Sequence, residues 1–171
     1  MSARGTRATD ELARSGVPHT VHEYEPPERQ GTARDARPAY GLDAAAALGV
    51  APDRIFKTLV AIVDGRPALA IVAVDRTLDL KRLAAALGGH RAILAEPADA
   101  ERATGYVIGG ISPIGCRRRL PAVLDEAASG HATIFVSAGR RGLQLELAPA
   151  DLLGLIGGLT AVIGRTEPGD P

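Results

Sequence analysis

Two apolar runs, Arg54 to Val63 and Pro67 to Val74, flank the pair Asp64-Gly65, and this arrangement constrains the fold more than any other part of the chain. Asp-Gly between strand-like runs favours a tight hairpin, because such a turn needs backbone angles that Gly and Asp tolerate. Both runs are apolar enough to lie centrally in a sheet. One residue breaks the pattern. Lys57 stands among Ile55, Phe56, Thr58, Leu59 and Val60, and an ammonium is almost never fully buried without a partner. Either it snorkels from a strand end or pairs with a core carboxylate, or it faces a cleft as a site lysine.

The rest of the chain reads as elements packed around that hairpin. Thr9 or Asp10 is suited to cap a short helix that runs through about Arg14 and stops at Gly16. His19 to Tyr24 has the character of a strand, whose period of two puts His22 and Tyr24 on one face. Glu25 to Pro38 is rich in Pro, Arg and Asp without periodicity and reads as a surface loop that borders a site. An Ala-rich helix, Leu42 to Leu48, precedes the hairpin. After it, Asp79 starts a helix over Leu80 to Leu87 that stops at Gly88-Gly89, followed by a short strand, Arg91 to Leu94, and a helix, Pro97 to Thr104. Gly105 to Gly115 forms a glycine-dense loop. Strands are expected at Leu120 to Leu124, Thr133 to Val136 and Leu143 to Leu147, then a last helix from Pro149 to about Ile156, with Arg165 to Pro171 as a frayed tail. Hairpins and helical connections interleave irregularly, which favours an α+β fold with a mixed sheet over a strictly parallel one.

The 171 residues suit one domain spanning 1–171. Hydrophobic residues make up 46% of the chain and aromatics only 3%, so the core is built from Ala, Val, Leu and Ile. Lys plus Arg equals Asp plus Glu at 20 each, so the chain lacks the basic excess of a strong, sequence-independent nucleic-acid binder, and any RNA contact must be local. A lone cysteine, Cys116, forms no intramolecular disulfide; it fits a reducing compartment and excludes cysteine-rich zinc sites. Met1 to Asp10 is polar and unlike a secretory signal, and no run approaches the ~18 apolar residues of a membrane span. The expectation is a cytoplasmic protein with no membrane partner.

Three segments are candidates for chemistry. Gly109-Gly110-Ile111-Ser112-Pro113-Ile114-Gly115 packs three glycines and a proline into seven positions. Its backbone is able to approach a ligand and form an oxyanion hole, or it is a tight turn. It matches neither phosphate-binding nor dinucleotide-binding glycine patterns. Ser137-Ala138-Gly139-Arg140-Arg141-Gly142 suits a turn that aims Arg140 and Arg141 at a phosphate while Ser137 bonds a substrate, and equally a plain hairpin turn with solvated arginines. Arg117-Arg118-Arg119 reads as an RNA-backbone contact or as a solvated charge run. Ser112 lies outside any G-x-S-x-G elbow, and His19, His22, His90 and His131 show neither triad nor H-E-x-x-H spacing, so no nucleophilic serine, metal or cofactor is expected. Cys116 reads as a small loop residue.

Taken in order, His22-Glu23-Tyr24, Ile55-Phe56-Lys57-Thr58-Leu59, Leu78-Asp79-Leu80-Lys81, Thr104 through Pro113, Arg119-Leu120-Pro121 and Val136 through Gly142 resemble the YbaK family of aminoacyl-tRNA deacylases, especially its Cys-tRNA(Pro) deacylases. The resemblance spans nearly the whole chain. It implies a mixed, barrel-like sheet with surrounding helices, shared with the editing domain of prolyl-tRNA synthetase. It also implies Lys57 as the essential lysine and substrate contacts through Tyr24, Gly109, Gly110, Ile111, Ser112, Pro113 and Ser137, while tRNA phosphate contacts for Arg118, Arg119, Arg140 and Arg141 rest on the charge pattern alone. Gln144 departs from the pattern, standing where similar relatives carry Asp.

The implied chemistry needs no protein nucleophile, because a cysteinyl ester carries a thiol that attacks its own carbonyl and leaves as a cyclic thioester. Well-oriented intramolecular reactions reach effective molarities of roughly 10⁵–10⁸ M. Lys57 would stabilise charge near the ester or terminal ribose, Gly109 and Gly110 would supply backbone groups, and Tyr24 and Ser137 would position the substrate. Editing itself has a motive, since a proline site cannot strongly reject smaller amino acids by packing alone. The implied partners are aminoacyl-tRNA and prolyl-tRNA synthetase. Two other readings stay open: an Ala-tRNA(Pro) or other deacylase using activated water, and a noncatalytic module that binds tRNA or a synthetase.

Overall fold

The structure, a computed structural model, describes residues 5–27 and 40–166. In chain order its elements are α1 (Arg7–Ser15), β1 (Thr20–Glu23), α2 (Tyr40–Leu48), β2 (Phe56–Val63), β3 (Arg66–Ala73), β4 (Thr77–Leu78), α3 (Leu80–Ala86), β5 (Ala92–Leu94), α4 (Pro97–Thr104), β6 (Ala122–Asp125), β7 (Ile134–Ser137), β8 (Leu143–Leu147), α5 (Pro149–Ile156), β9 (Leu159–Ala161) and β10 (Gly164–Arg165).

The expected hairpin organises all of it. Strands β2 and β3 pair antiparallel from Phe56↔Ala73 to Val63↔Arg66. The two turn residues both take positive φ, 47° at Asp64 and 83° at Gly65, as the twist of a two-residue hairpin requires. The Asp64 carboxylate accepts the N–H groups of His90 and Arg91, each at 2.9 Å, which holds it below the ordinary carboxylate range and fixes the entry to β5. The hairpin lies inside a five-stranded mixed sheet of order β5-β2-β3-β6-β9, with the β3–β6 and β6–β9 pairs parallel.

Alternation along β3 explains why it is apolar on both faces. Leu69, Ile71 and Ala73 enter the large core with α1, α4 and α5 residues, whereas Ala68, Ala70 and Val72 enter a second core with Leu83 and Ala84 of α3. A three-stranded antiparallel sheet, β1-β8-β7, packs Leu143, Leu145 and Val136 into the large core. A third, small cluster joins Ala44 and Ala45 of α2 to Ile55 and Phe135. The α+β expectation with a mixed sheet holds. Among the described residues the hydrogen-bonded strands do not close into a ring; the two larger sheets meet through an isolated parallel bridge, Ile55↔Phe135.

Several local expectations change. Helix α1 is capped by Thr6, not by Thr9 or Asp10, because Thr6 and Thr9 exchange side-chain and backbone hydrogen bonds in a capping box. The Thr6 hydroxyl also donates to the Ala138 carbonyl, tying α1 to the loop after β7. Tyr24 lies just past β1. The strand expected from Leu120 begins at Ala122. Strand β9 was not anticipated, and Arg165 is not frayed: it pairs with Thr77 in the β10–β4 ladder. Buried Asp125 holds this return in place, its Oδ1 accepting the N–H groups of Ile163 and Gly164, each at 2.8 Å. Most of the expected Glu25–Pro38 loop, and the tail from 167, lie outside the described residues. No helix among the described residues is long and apolar enough to cross a membrane.

Candidate active site

The site follows from how β2 is paired. The Ile55 carbonyl accepts from Val74 N at 2.8 Å, so odd-numbered residues of β2 bond to β3, and alternation turns the peptide groups of Phe56, Thr58 and Val60 toward the opposite edge. On that edge β5 pairs only from Ala61 onward, with the Val60 carbonyl accepting from Ala95 N at 3.0 Å, while β7 forms only an isolated bridge at Ile55. The sheet therefore opens between β5 and β7. A cavity of about 250 Å³ fills this seam.

Lys57 stands in its wall. The Nζ donates to the Arg76 carbonyl at 2.8 Å, which gives the ammonium an acceptor inside an otherwise apolar stretch. Tyr24, Gly109, Ile111 and Ser137 line the same cavity, together with Tyr40, Thr58 and Gln144 and the apolar Val60, Leu94, Ala100 and Ile108. Gly109 has φ +92°, and a Cβ there would meet the Tyr40 ring at 3.0 Å.

Gly110, Ser112 and Pro113 are placed otherwise. Gly110 N–H donates to the Val107 carbonyl at 2.9 Å, so it is not an oxyanion donor here. A Cβ on Gly110 would come within 2.7 Å of Arg140 Cα, so this glycine lets the ribbon press against the 137–142 turn. Ser112 is fully buried and its hydroxyl accepts from Ile114 N at 3.2 Å. Pro113 lines a separate cavity of about 100 Å³ with Cys116, Arg118 and Arg119. Tyr106, whose hydroxyl donates to the Ile114 carbonyl at 2.6 Å and is pushed up to about 12 by burial, locks this half of the ribbon into the core.

Three of the four arginines expected at phosphate, Arg119, Arg140 and Arg141, are engaged with the protein. Arg140 pairs with Glu23 at 3.2 Å. Arg141 donates to the Pro27 carbonyl at 3.0 Å, lies 3.9 Å from Asp43 and stacks 5.1 Å above the Tyr40 ring. Arg119 donates to the Leu155 carbonyl at 3.3 Å, and neither it nor Arg118 lines the Lys57 cavity.

Three features went unread in the sequence. Thr58 is ordinary in a strand and was overshadowed by Lys57, and Tyr40 carries no periodic signal. The third is a polar network beside the cavity: Glu146 bonds His22 at 2.9 Å, Arg54 at 3.2 Å and the Thr133 hydroxyl at 2.5 Å. These partners, the Thr133 hydroxyl first, hold the Glu146 carboxyl below its ordinary range. His22 lies directly across from Gln144, which lies across from Ser137, so the network continues the row of side chains that ends in the cavity. Among the described residues no cluster of His, Cys, Asp and Glu could hold a metal ion.

The fold and site define an α+β domain with an open-seamed mixed sheet and a lysine beside a glycine ribbon. Residues 38–155 match the aminoacyl-tRNA editing domain, and the chain belongs to that family. It is 43% identical over 124 residues to EbsC of Enterococcus faecalis, described as a Cys-tRNA(Pro)/Cys-tRNA(Cys) deacylase, covering 72% of this chain and 76% of that protein. It is 33% identical over 103 residues to a proline–tRNA ligase of Nitratidesulfovibrio vulgaris, covering 60% of this chain and 18% of the ligase. A crystal structure described as a trans-editing enzyme for prolyl tRNA synthetase superposes with a TM-score of 0.77 at 28% identity, over 93% of this chain and 95% of that one.

Proposed function

We propose that the chain is a cytoplasmic trans-editing deacylase that removes cysteine misattached to tRNA(Pro). The observation that carries this reading is the Lys57 ammonium in the wall of a cavity lined also by Gly109 and Ser137, in a chain of the editing family. A fixed cation in a partly desolvated cleft stabilises charge that develops on an ester carbonyl or on the departing ribose oxygen. Tyr24 and Ser137 orient the aminoacyl end. The substrate's thiol attacks its own carbonyl carbon: a C–S bond forms, the C–O bond to the ribose breaks, and the ribose oxygen takes the proton that the thiol gives up. The cyclic thioester leaves and hydrolyses.

The exact charge balance of 20 against 20 leaves no general attraction for RNA. Arg140 and Arg141 are tied to Glu23, Asp43 and Pro27. These features support a synthetase, prolyl-tRNA synthetase in this reading, as the partner that presents charged tRNA. The test is a deacylation panel of purified protein on tRNA(Pro) carrying cysteine, serine or alanine. Cysteine should be released and serine should be much slower. Lys57→Ala should lower kcat/KM on Cys-tRNA(Pro) by about 100-fold or more, the scale set by removal of one charge-stabilising donor. Unchanged hydrolysis by Lys57→Ala would refute the site, and equal rates on serine would refute thiol attack.

A further inference from the structure

We infer that Thr58 is a specificity-determining residue, whose hydroxyl selects substrates that carry a hydrogen-bonding atom on the side chain; this rests on the deacylase reading above. Thr58 stands on the same face of β2 as Phe56 and Val60 and across from Ile71, and all three of those neighbours belong to the large apolar core. A valine would fill that position with the same shape. Instead the site holds a hydroxyl whose Oγ1 is shielded from solvent and, among the described residues, has no hydrogen-bond partner. A buried polar atom without a protein partner is destabilising, so a ligand atom that bonds this hydroxyl gains more than an apolar one.

Two further groups point to the same cavity. Gln144 is 8% exposed, lines the seam, and its Oε1 also lacks a partner among the described residues. The peptide N–H and C=O of Thr58 face the open edge by strand alternation, between the Val60–Ala95 bond and the Ile55–Phe135 bridge. Two side-chain oxygens without a protein partner among the described residues thus belong to residues that line the seam between the two sheets.

Their distribution says which part of the ligand each meets. Lys57, Ser137 and Gln144 share the cavity with Tyr24 and Tyr40, whereas Thr58 stands on the β2 face that joins Val60, Ala100 and Ile111, all lining residues drawn from the large core or its margin. An aminoacyl group with its ester at Lys57 therefore extends its side chain toward a small apolar recess holding one hydroxyl. Rotation about χ1 to a neighbouring staggered position is the movement by which the hydroxyl would meet a ligand atom in the cavity. A thiol or hydroxyl satisfies it, while a methyl in the same place leaves it unpaired. A site built to bond a side-chain heteroatom rejects the analogue that lacks it far more strongly than packing alone does. Serine would then bind without fast turnover, because selection lies in Thr58 and the reaction needs the thiol.

The probes are non-hydrolysable 3′-amide adenosines carrying cysteinyl, seryl or 2-aminobutyryl groups, the last replacing the thiol with a methyl. Inhibition constants are measured against Cys-tRNA(Pro) hydrolysis by the full chain, and direct binding is measured by calorimetry. Wild type should favour the cysteinyl and seryl analogues over 2-aminobutyryl by about tenfold or more. Thr58→Val should bring the ratio close to one, and Thr58→Ser, which keeps the hydroxyl, should retain it. An unchanged ratio in Thr58→Val, no preference in wild type, or loss of preference in Thr58→Ser would each overturn the assignment. Absence of any aminoacyl-tRNA hydrolysis by wild type would instead overturn the deacylase reading, with the analogue ratios still readable by calorimetry.

Discussion

Burial treats the chain's two most reactive side chains near the ribbon in opposite ways. Lys57 keeps a carbonyl acceptor at 2.8 Å and a cavity beside it. Cys116 is pushed up to about 11, chiefly by burial, and its Sγ lies 3.4 Å from the Ser112 carbonyl as a donor. At neutral pH it is a protonated thiol, and the thiol is not the nucleophilic form. Cys116→Ser should therefore leave kcat/KM on Cys-tRNA(Pro) within about twofold of wild type, and iodoacetamide should alkylate the native protein far more slowly than the unfolded one. A large loss of turnover in Cys116→Ser would place the thiol in the reaction. Lys57 was legible in the sequence because a charge inside Ile-Phe-x-Thr-Leu has few physical excuses. Thr58 was not, since threonine is a good strand residue and its missing partner exists only in three dimensions. Ser112 and Pro113 are expected at the site from the family resemblance, and sequence shows that a glycine ribbon is present but not which of its faces turns toward the core.

At the scale of elements, the ribbon and the 137–142 turn act as one support. Gly110 allows their contact: an added Cβ would sit 2.7 Å from Arg140 Cα, and backbone atoms on the far side cannot swing away like a side chain. Gly110→Ala should cost about 1–3 kcal/mol, the scale of overpacking, and should also lower kcat/KM, because Gly109 and Ser137 are carried by the displaced segments. Thermal unfolding and deacylation kinetics on the same sample check both. Asp125 gives a second case. Its carboxylate ends the β6 strand and accepts two backbone N–H groups from the β9–β10 return. Asp125→Ala should cost about 1.5–3 kcal/mol per hydrogen-bonded charge lost, read as a lower urea midpoint. These elements differed sharply in legibility. The β2–β3 hairpin was visible as alternation around Asp-Gly, and α4 and α5 as Pro-started helices. Strands β9 and β10 were not, because three and two residues after Gly157-Gly158 hold no period, and they exist only through pairing with β6 and β4.

Across the whole molecule, the same open seam that makes the cavity leaves the two larger sheets joined by their shared apolar core, the isolated Ile55–Phe135 bridge and the polar network beside it, not by a continuous hydrogen-bonded ladder. That is why a barrel-like sheet was expected from resemblance and an unclosed one is found: short strands fix neighbours, and closure is a property of their sum. Arg54, from the turn before β2, reaches the Thr133 carbonyl at 3.2 Å and Glu146 of β8 while lying 5.1 Å over the Phe135 ring. Glu146 is therefore a joint between the sheets, and its ionisation is coupled to folding. In the unfolded chain this carboxyl titrates near its ordinary value of 4.5, and in the folded protein it titrates lower. Its contribution to stability is thus fully present above that ordinary value and is lost as pH falls through the lower, folded one. Glu146→Gln removes this dependence. The wild-type urea midpoint should fall between about pH 5 and pH 3 more steeply than that of Glu146→Gln, and equal slopes would show that the carboxylate does not join the sheets. Because His22 on this network lies across from Gln144 in the cavity row, loosening the joint should also raise KM for Cys-tRNA(Pro) in Glu146→Gln at neutral pH, before any loss of fold is seen by circular dichroism.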